Sequence, residues 1–242
     1  MLETEMKKIY IPVILLLVVI ICVAIFFAIT QNPESSEKNR LNDHTLFSLP
    51  KPGSDSDTSI EEGLAGRRSV RGYALRSLTL TEVSRILWAA QGISGEGGLR
   101  TAPSAGAIYP LEIYLVAGKV GGLSPGVYHY IPEGHSLEME IVGDMREDIF
   151  FCALNQSAIK DAPALIVITS FPSRTTGKYG ERGMRYVYME AGHASQNVYL
   201  QAFSLHLGTV SIGAFHDECI RNVLGLDPNE EPLYIMPIGA LP

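Results

Sequence analysis

The chain has 242 residues, of which 46% are hydrophobic and 19% charged, and its formal net charge is −7. This length allows one large domain or two small ones, and the hydrophobic fraction predicts a folded core. An acidic chain without a basic face is a poor partner for nucleic acid, so nucleic-acid binding is not expected. The cysteines at 22, 152 and 219 are too scattered to indicate a disulfide framework or a metal site. We interpret them as buried, unreactive thiols.

The first element in chain order is an uncharged apolar run over residues 9–29. As a helix with a rise of about 1.5 Å per residue, this run would be roughly 30 Å long, enough to span a bilayer. A cleaved signal peptide is the alternative, but no small-x-small cleavage site follows the run cleanly. The sequence therefore predicts a membrane anchor over residues 1–30 and a single-pass membrane localisation. The side of the membrane that carries the soluble domain stays open.

A polar segment and two helix starts follow the predicted anchor. Residues 31–58 are rich in Asn, Pro, Ser, Glu and Asp and show no periodicity, which predicts a flexible linker. The folded domain is expected over residues 59–242. Its first residues, "SIEE" from Ser59, have the pattern of a capping box. The stretch "TLTE" repeats that pattern from Thr79 and starts a helix that is expected to end near Gln91.

Strands and helices then mix without strict alternation. Apolar residues at spacings of three and four predict a long helix over 181–207. The continuous apolar run over 164–170 predicts a central strand. Further strands are expected over 111–117, 126–131, 136–142 and 233–238, and further helices over 144–154 and 218–224. The sequence therefore predicts an α+β fold, with a central sheet flanked by helices.

Two short segments are candidates for binding chemistry. The basic cluster, residues 67–71 ("RRSVR"), places three guanidinium groups and a hydroxyl together in an acidic chain. Arginine binds phosphate through bidentate hydrogen bonds, so a phosphate site is indicated, with a solvated basic turn as the alternative. Residues 103–107 ("PSAGA") have small side chains that would let a flat ring lie close to the backbone. The start of a helix is the alternative for that segment.

Five motifs in order resemble the nitroreductase superfamily, and within it the SagB/ThcOx-type dehydrogenase branch, which includes azoline oxidases of peptide-modifying systems. They are "RRSVRGY", "TAPSAGAIYPLEIYLV", "KYGERGMRYVYMEAGHASQNVYLQA", "SIGAF" and "PLYIMPIG". The resemblance covers about residues 61–239 and implies an α+β fold that binds FMN at the interface of a homodimer. Classical nitroreductases usually carry a polar side chain where this chain has Ala107, and that departure points to the SagB-like branch. Many relatives also carry a Lys or Arg after the last strand, which this chain lacks.

The resemblance also implies roles for single residues. It places the FMN phosphate and ribityl chain at Arg67, Arg68 and Ser69, with Arg71 at the last position of the same motif. It places the isoalloxazine ring beside Pro103, Ser104, Ala105 and Gly106. It directs the backbone N–H groups of Gly213 and Ala214 toward flavin N5, where fixed donors stabilise the negative charge that builds during reduction.

The Lys–Tyr pair, Lys178 and Tyr179, is the candidate for proton transfer. Azoline oxidases of the family carry such a pair at this motif, and an ammonium beside a phenol stabilises the phenolate. A solvated helix start is the alternative, and the sequence does not decide between the two. Glu190 and His193 have the spacing of half a di-iron site, but small neighbours favour helix packing, so no metal is expected.

These observations predict an FMN-dependent oxidoreductase that passes a hydride through its flavin. The expected substrate is a small molecule or a peptide, and oxidation of an azoline or a related C–N centre is the first hypothesis. Reduction of a nitro compound or a quinone, with NAD(P)H as the electron donor, is the alternative reaction. A flavin-binding module without turnover, or a membrane-anchored interaction domain without a cofactor, would be a different class of protein.

Overall fold

The computed structural model describes residues 45–53 and 56–242, and these form one antiparallel sheet with helices on both faces. The strands are β1 (Leu46–Ser48), β2 (Leu111–Ala117), β3 (Gly126–Ile131), β4 (Ser136–Val142), β5 (Ala164–Ser170), β6 (Leu207–Thr209) and β7 (Glu231–Ala240). Their order across the sheet is β1-β4-β3-β2-β5-β7-β6. All seven residues of β5 are buried between β2 and β7, so the predicted central strand is confirmed.

The helices cover the two faces of the sheet. They are α1 (Ile60–Gly66), α2 (Leu80–Gln91), α3 (Arg146–Cys152), α4 (Ser157–Asp161), α5 (Pro172–Tyr179), α6 (Gly183–Ser204) and α7 (Asp217–Leu224). One apolar core packs α2 and α6 against one face, and a second packs α3, α4 and α7 against the other. Because strands and helices are arranged in this way, the predicted α+β class with a central sheet is confirmed.

Both predicted capping boxes are present. Glu62 N–H donates to Ser59 Oγ over 3.1 Å, and Ser59 N–H donates to Glu62 Oε2 over 2.8 Å. Thr79 and Glu82 form the same reciprocal pair at the start of α2. Each box satisfies backbone donors that a helix start would otherwise leave unpaired, so these two sequence signals identify both helix starts to the residue.

Helix α6 is the long helix that the periodicity predicts, with shorter bounds. Its buried side includes the apolar residues of the predicted stripe, namely Val187, Ala191, Ala194, Val198 and Ala202. Glu190 is buried beside them, although it is ionisable. The helix therefore contributes both packing area and one buried acid to the side of the sheet that it covers.

Strand β1 lies inside the segment 31–58, for which the sequence predicts a flexible linker. It pairs with β4, with Leu46 opposite Glu138 and Ser48 opposite Ser136. Phe47 packs edge-on against Tyr128, with ring centroids 5.6 Å apart. Backbone pairing and one aromatic contact order this short stretch, and neither produces a periodic sequence signal. The sheet therefore begins before the expected domain start at Ser59.

The interpretation of Cys152 and Cys219 as unreactive thiols is wrong. They form a disulfide that joins the end of α3 to α7 across 67 residues of sequence. The fold packs these two helices side by side, with a Cα–Cα separation of 5.5 Å at the cysteines. Spacing along the chain could not indicate this pairing, because it depends on the tertiary packing.

The predicted membrane localisation is also corrected. Within residues 45–53 and 56–242, no helix is both long enough and apolar enough to cross a bilayer. The run over 9–29, on which the anchor prediction rests, lies outside the described residues, as does the remainder of the predicted anchor over 1–30.

Candidate active site

The Lys–Tyr pair packs directly on the small-residue segment. A Cβ atom placed on Gly106 would lie 2.7 Å from Lys178 Nζ and 2.7 Å from Tyr179 OH. The ammonium also lies 5.4 Å from the centroid of the Tyr179 ring. Two segments that are about 70 positions apart in the sequence therefore meet at one point, and a larger residue at position 106 would require the polar ends to shift. The catalytic role of the pair stays a prediction.

The pair lies at the end of a helix and not at a helix start. Helix α5 ends at Tyr179, and Gly180 follows with a φ of 58°. An ammonium in the last turn of a helix interacts favourably with the helix dipole. The Tyr179 ring packs edge-on against Tyr186, at 5.1 Å between centroids. The end of the helix at Gly180 and the Tyr186 ring both restrict the directions in which the two side chains can point.

The loop that carries Gly106, residues 104–109, is called the site loop. Its short 3-10 turn over Ala105–Ala107 has a left-handed Gly106, and Ala107 and Tyr109 also have positive φ angles of 52° and 54°. Such angles are unfavourable for residues with a Cβ atom. The expected alternative, an ordinary helix start after Pro103, is therefore not what forms.

Hydrogen bonds hold the site loop in this conformation. The Tyr109 N–H donates to Ser104 Oγ over 2.9 Å, and the Ala107 N–H donates to the Ser104 carbonyl over 3.1 Å. The Arg100 N–H donates to the Tyr109 hydroxyl over 3.2 Å, and the Arg100 guanidinium lies 4.8 Å from the centroid of the Tyr109 ring. Ser104 is thus the main acceptor within the site loop.

The basic cluster forms a second, more open region. Arg68, Ser69 and Arg71 are exposed, and Arg67 is half-buried. Arg68 Nη1 donates to the carbonyl of Ala65 over 2.9 Å and to that of Arg67 over 2.7 Å, which fixes one end of its guanidinium. A cleft of about 200 Å³ lies beside these arginines. An anion could reach the cluster without any displacement of the core.

Tyr199, which the sequence reasoning did not select, contacts the basic cluster. Its hydroxyl lies 3.0 Å from Ser69 Oγ and accepts a hydrogen bond of 2.9 Å from the Ser211 N–H. The guanidinium of Arg67 lies 5.1 Å from the centroid of its ring. Tyr199 therefore joins the basic cluster to the segment that carries Gly213. Nothing in the spacing distinguishes this tyrosine from the other aromatic residues of α6.

Gly213 and Ala214 lie in an exposed turn after Ile212. The Ala214 carbonyl accepts a hydrogen bond of 2.9 Å from the Gln156 amide, and Ile212 is bridged to Ile235. Within residues 45–53 and 56–242, the N–H groups of Gly213 and Ala214 donate to no other residue. The turn is held at both sides while two backbone donors stay available for a bound group.

Glu190 and His193 differ strongly in their surroundings. Glu190 is 2% exposed, and burial raises the pKa of its carboxyl to about 7, against the opposing effects of Ser104, Gln91 and Arg100. His193 is exposed. The two side chains therefore do not share one metal site, and Glu190 faces the site loop.

One other group in the described part of the chain could hold a cation. Ligand atoms of His129, Glu138 and Glu140 lie within 4.8 Å of one another on β3 and β4. His129 is half-buried, and its Nε2 lies 2.8 Å from Glu112 Oε2. Burial alone would lower the pKa of His129, but the bond to Glu112 and nearby carboxylates raise it. This group contains none of the predicted site residues.

The structure thus brings the predicted site residues together as two regions. The Lys–Tyr pair meets the site loop, and Tyr199 joins the basic cluster to the Ser211–Ala214 stretch. Helix α6 runs past both regions, since Glu190 faces the site loop and Tyr199 faces the basic cluster. Nine residues separate these two side chains, which is roughly 14 Å along a helix axis.

Comparisons with known proteins agree with this architecture. The model of the Nitroreductase family matches residues 64–240. A protein of Methanocaldococcus jannaschii that is named as a nitroreductase is 49% identical over 183 residues, which cover 76% of this chain and 91% of its own. Trifolitoxin operon protein TfxC of Rhizobium leguminosarum bv. trifolii is 28% identical over 228 residues, which cover 87% of this chain and 64% of its own.

Solved structures share the fold. A structure from Ralstonia eutropha, named as a nitroreductase, superposes with a TM-score of 0.72 at 27% identity and covers 81% of this chain and 90% of its own. The Escherichia coli microcin synthetase McbBCD complex, solved with truncated pro-MccB17 bound, contains a chain with a TM-score of 0.63 at 22% identity. That match covers 91% of this chain and 92% of the other, and at this identity it shows the fold alone.

Proposed function

Because the chain belongs to the nitroreductase family, we propose that it is an FMN-dependent oxidoreductase of the SagB-type branch that oxidises an azoline or a related C–N centre. The observation that carries this proposal is the contact of the Lys–Tyr pair with Gly106. The trifolitoxin operon relative supports the branch, and Ala107 at a position that is polar in classical nitroreductases agrees with it. A small molecule or a peptide is the proposed substrate.

The described residues fit FMN at three points. The basic cluster offers exposed guanidinium groups and a serine hydroxyl, which suit a phosphate. The site loop carries small side chains at residues 104–107, which suit a flat ring beside it, and the polar ends of the Lys–Tyr pair lie against its Gly106. The backbone N–H groups of Gly213 and Ala214 have no partner within the described part of the chain, so they can donate to a ring nitrogen. When bound, FMN accepts a hydride at N5.

The chain's own residues supply the remaining chemistry. Oxidation of an azoline to an azole forms a ring C=C bond, and oxidation of a related C–N centre forms C=N; each removes a proton from the substrate as well as a hydride. Tyr179 is the proposed base for this proton, and the Lys178 ammonium, 5.4 Å from the centroid of its ring, places a positive charge beside it. The donors of Gly213 and Ala214 are fixed before the reaction, because the turn around them is held by Gln156 and Ile235.

The second candidate reaction is NAD(P)H-dependent reduction of a nitro compound or a quinone. The M. jannaschii relative is named as a nitroreductase, and 76% of this chain aligns with it. That reaction needs the same flavin contacts but no base for a C–H/N–H substrate. The Lys–Tyr pair would then have no part in the chemistry, which makes the two reactions separable by mutation.

We also infer that the protein is a homodimer, as the family resemblance implies. Tyr188 and Met189 are adjacent on α6 and are 54% and 51% exposed, respectively. Contact with another chain would cover these two exposed apolar side chains. Light scattering on the purified protein measures its mass, and a monomeric mass at micromolar concentration contradicts the inference.

An absorbance spectrum of the purified protein, recorded before and after reduction, tests the proposed function. Flavin bands that bleach with a reductant and return with an acceptor are expected of an enzyme. Bleaching by NAD(P)H, with turnover of nitro or quinone compounds alone, favours the reductase. A coloured protein that turns over no substrate of either class is a binding module. A colourless protein that takes up no added FMN rejects the proposal.

A further inference from the structure

The 213–216 turn, which precedes α7, is attached to the end of α3 and to the residues that follow it. The Gln156 amide donates to the Ala214 carbonyl over 2.9 Å. The His216 N–H donates to the Cys152 carbonyl over 2.9 Å. The position of the turn therefore depends on a segment that is about 60 positions away in the sequence and belongs to another part of the fold.

The disulfide between Cys152 and Cys219 adds a covalent link between the same two parts of the chain. It joins α7, just after the turn, to the residue whose carbonyl receives the His216 N–H. Cys152 is 2% exposed, whereas Cys219 is half-buried, so Cys219 is the more accessible of the two cysteines. One covalent bond and two hydrogen bonds thus act on the turn together.

The α3–α4 connection, residues 153–156, has an unfavourable backbone conformation. Leu154 and Asn155 have φ angles of 57° and 56°, which residues with a Cβ atom rarely adopt. Leu154 is 54% exposed, so burial of its side chain does little to hold it there. Residues keep such angles only where their surroundings impose them. The disulfide, which is attached at the residue before this connection, is one of the restraints that do so.

We propose that the Cys152–Cys219 disulfide is a thiol-sensitive switch that fixes the 213–216 turn. While the disulfide is intact, the turn keeps both of its hydrogen bonds to the α3 side. When a dithiol reduces it, the α3–α4 connection relaxes and the turn is released. The restraint is a property of the chain alone. Its consequence for a flavin rests on the proposed function, since the Gly213 and Ala214 N–H groups are then no longer fixed before the reaction.

The switching step is an ordinary thiol–disulfide exchange. A thiolate of the dithiol attacks Cys219 Sγ, the S–S bond breaks, and Cys152 leaves as a thiolate. The second thiolate of the dithiol then displaces Cys219 and closes the disulfide of the dithiol itself. Two electrons pass from the dithiol to the protein, and the two thiol protons of the dithiol are left to the cysteines or to solvent. The step therefore needs no flavin and no substrate.

Hydrogen exchange of the full-length protein, with and without dithiothreitol, tests the switch without any assay of turnover. The Asn155 N–H donates to the Phe150 carbonyl over 3.1 Å, and the His216 N–H to that of Cys152. Each amide should lose roughly fivefold protection or more on reduction, which corresponds to the loss of one neutral hydrogen bond. The amides of β5, which is buried throughout, are the internal reference and should keep their protection. Alkylation and mass spectrometry verify that the disulfide is open in the reduced sample.

Two variants make the result specific. Cys219→Ser cannot form the disulfide, so it should show the low protection without dithiothreitol and no further response to it. Cys22→Ser removes the remaining cysteine and should respond as the wild type does. Unchanged protection at Asn155 and His216 in a fully reduced wild-type sample overturns the proposal, even if Cys219→Ser fails to fold. An equal loss in β5, or a native disulfide that the dithiol does not open, overturns it as well.

The flavin spectrum, recorded without dithiothreitol, separates this result from the proposed function. A colourless protein whose turn responds to reduction rejects FMN and keeps the switch, and a flavoprotein whose turn does not respond does the reverse. Where flavin is bound, its midpoint potential should be lower in Cys219→Ser than in Cys22→Ser, because donors that are less fixed stabilise the negative charge of the reduced ring less well. Equal potentials in these two variants overturn the link between the switch and the flavin.

Discussion

The basic cluster and the Lys–Tyr pair differ in how far contacts within the protein hold their side chains in place. Of the side chains of the cluster, those of Arg68 and Ser69 make hydrogen bonds within the described part of the chain, and most stay exposed. In the Lys–Tyr pair, Lys178 is also exposed, but Tyr179 is half-buried, and the pair contacts Gly106 and the Tyr186 ring. An open set of cations suits a charged group that arrives from solution, whereas a pair held against its neighbours suits a proton transfer that needs fixed geometry. Mutations should therefore affect binding in the first region and turnover in the second.

The largest expected effect comes from Tyr179→Phe, which removes the hydroxyl and keeps the ring. C–N oxidation should slow by roughly a hundredfold or more, because the general base is lost. FMN retention and the reduction of a quinone should change much less. Steady-state kinetics with both substrate classes measure the difference, and Tyr186→Phe is the matched control. If Tyr179→Phe and Lys178→Ala both leave every turnover unchanged, the pair has no catalytic role.

Arg68→Ala tests whether the basic cluster binds the FMN phosphate. Loss of a charge-assisted contact worth about 1.5–3 kcal/mol should weaken FMN binding by roughly ten- to a hundredfold. The kcat of the flavin-saturated enzyme should stay near that of the wild type. Flavin retention after dialysis is the measurement, and Arg76→Ala is the control because Arg76 is already ion-paired with Glu82. Unchanged retention rejects the role of Arg68.

Gly106→Ala probes the contact between the site loop and the Lys–Tyr pair. The new methyl group would meet both polar ends at 2.7 Å, at a residue with a φ of 63°. C–N oxidation should fall by roughly tenfold or more through misplacement of the pair. Stability should fall by about 1–2 kcal/mol because of the left-handed backbone.

Gly97→Ala is the matched control for this contact. Gly97 has a φ of 73°, but a Cβ there meets no atom within 4 Å. Gly97→Ala should lower the stability by a similar amount and leave the rate of C–N oxidation unchanged. Equal kinetic losses in the two variants would mean that backbone strain, and not the contact, explains the effect of Gly106→Ala.

The last prediction is a pH dependence of stability from Glu190. Burial raises its folded-state pKa from 4.5 to about 7, so the folded state binds this proton more tightly than the unfolded state. The stability that the group contributes is complete below pH 4.5 and is lost as the pH rises toward 7, by up to about 3 kcal/mol. Urea denaturation at pH 5 and pH 8 should show this decline in the wild type and a smaller one in Glu190→Gln. Identical declines contradict the assigned pKa.

The parts of the fold that the sequence predicts are those with local signals. Ser59 and Thr79 carry their capping partners three residues away, and the stripe of α6 repeats every three or four residues. Helix α5 has no such repeat, since Pro172 and Thr175 are its buried residues. The β1 strand depends on backbone pairing with β4, which leaves no side-chain pattern.

The candidate site was predictable only through resemblance to a family. Residue types and spacing indicate an anion site at the basic cluster, but they do not place Lys178 near Gly106, because that contact depends on how α5 packs. Tyr199 and Glu190 could not be selected from the other residues of α6 without knowing what each one faces. Long-range packing accounts for most of what the sequence left undecided.

The disulfide between Cys152 and Cys219 closes a covalent ring that contains β5, α5, α6 and β6. Both members of the Lys–Tyr pair, Tyr199, Glu190 and the turn at Gly213 lie inside this ring. A protease that cuts the chain once within it produces two fragments that stay joined, and their masses separate only after a thiol reductant is added. The basic cluster and the site loop lie outside the ring. A single cut between residues 71 and 104 therefore separates these two segments from each other on a denaturing gel, and only the second stays attached to the ring.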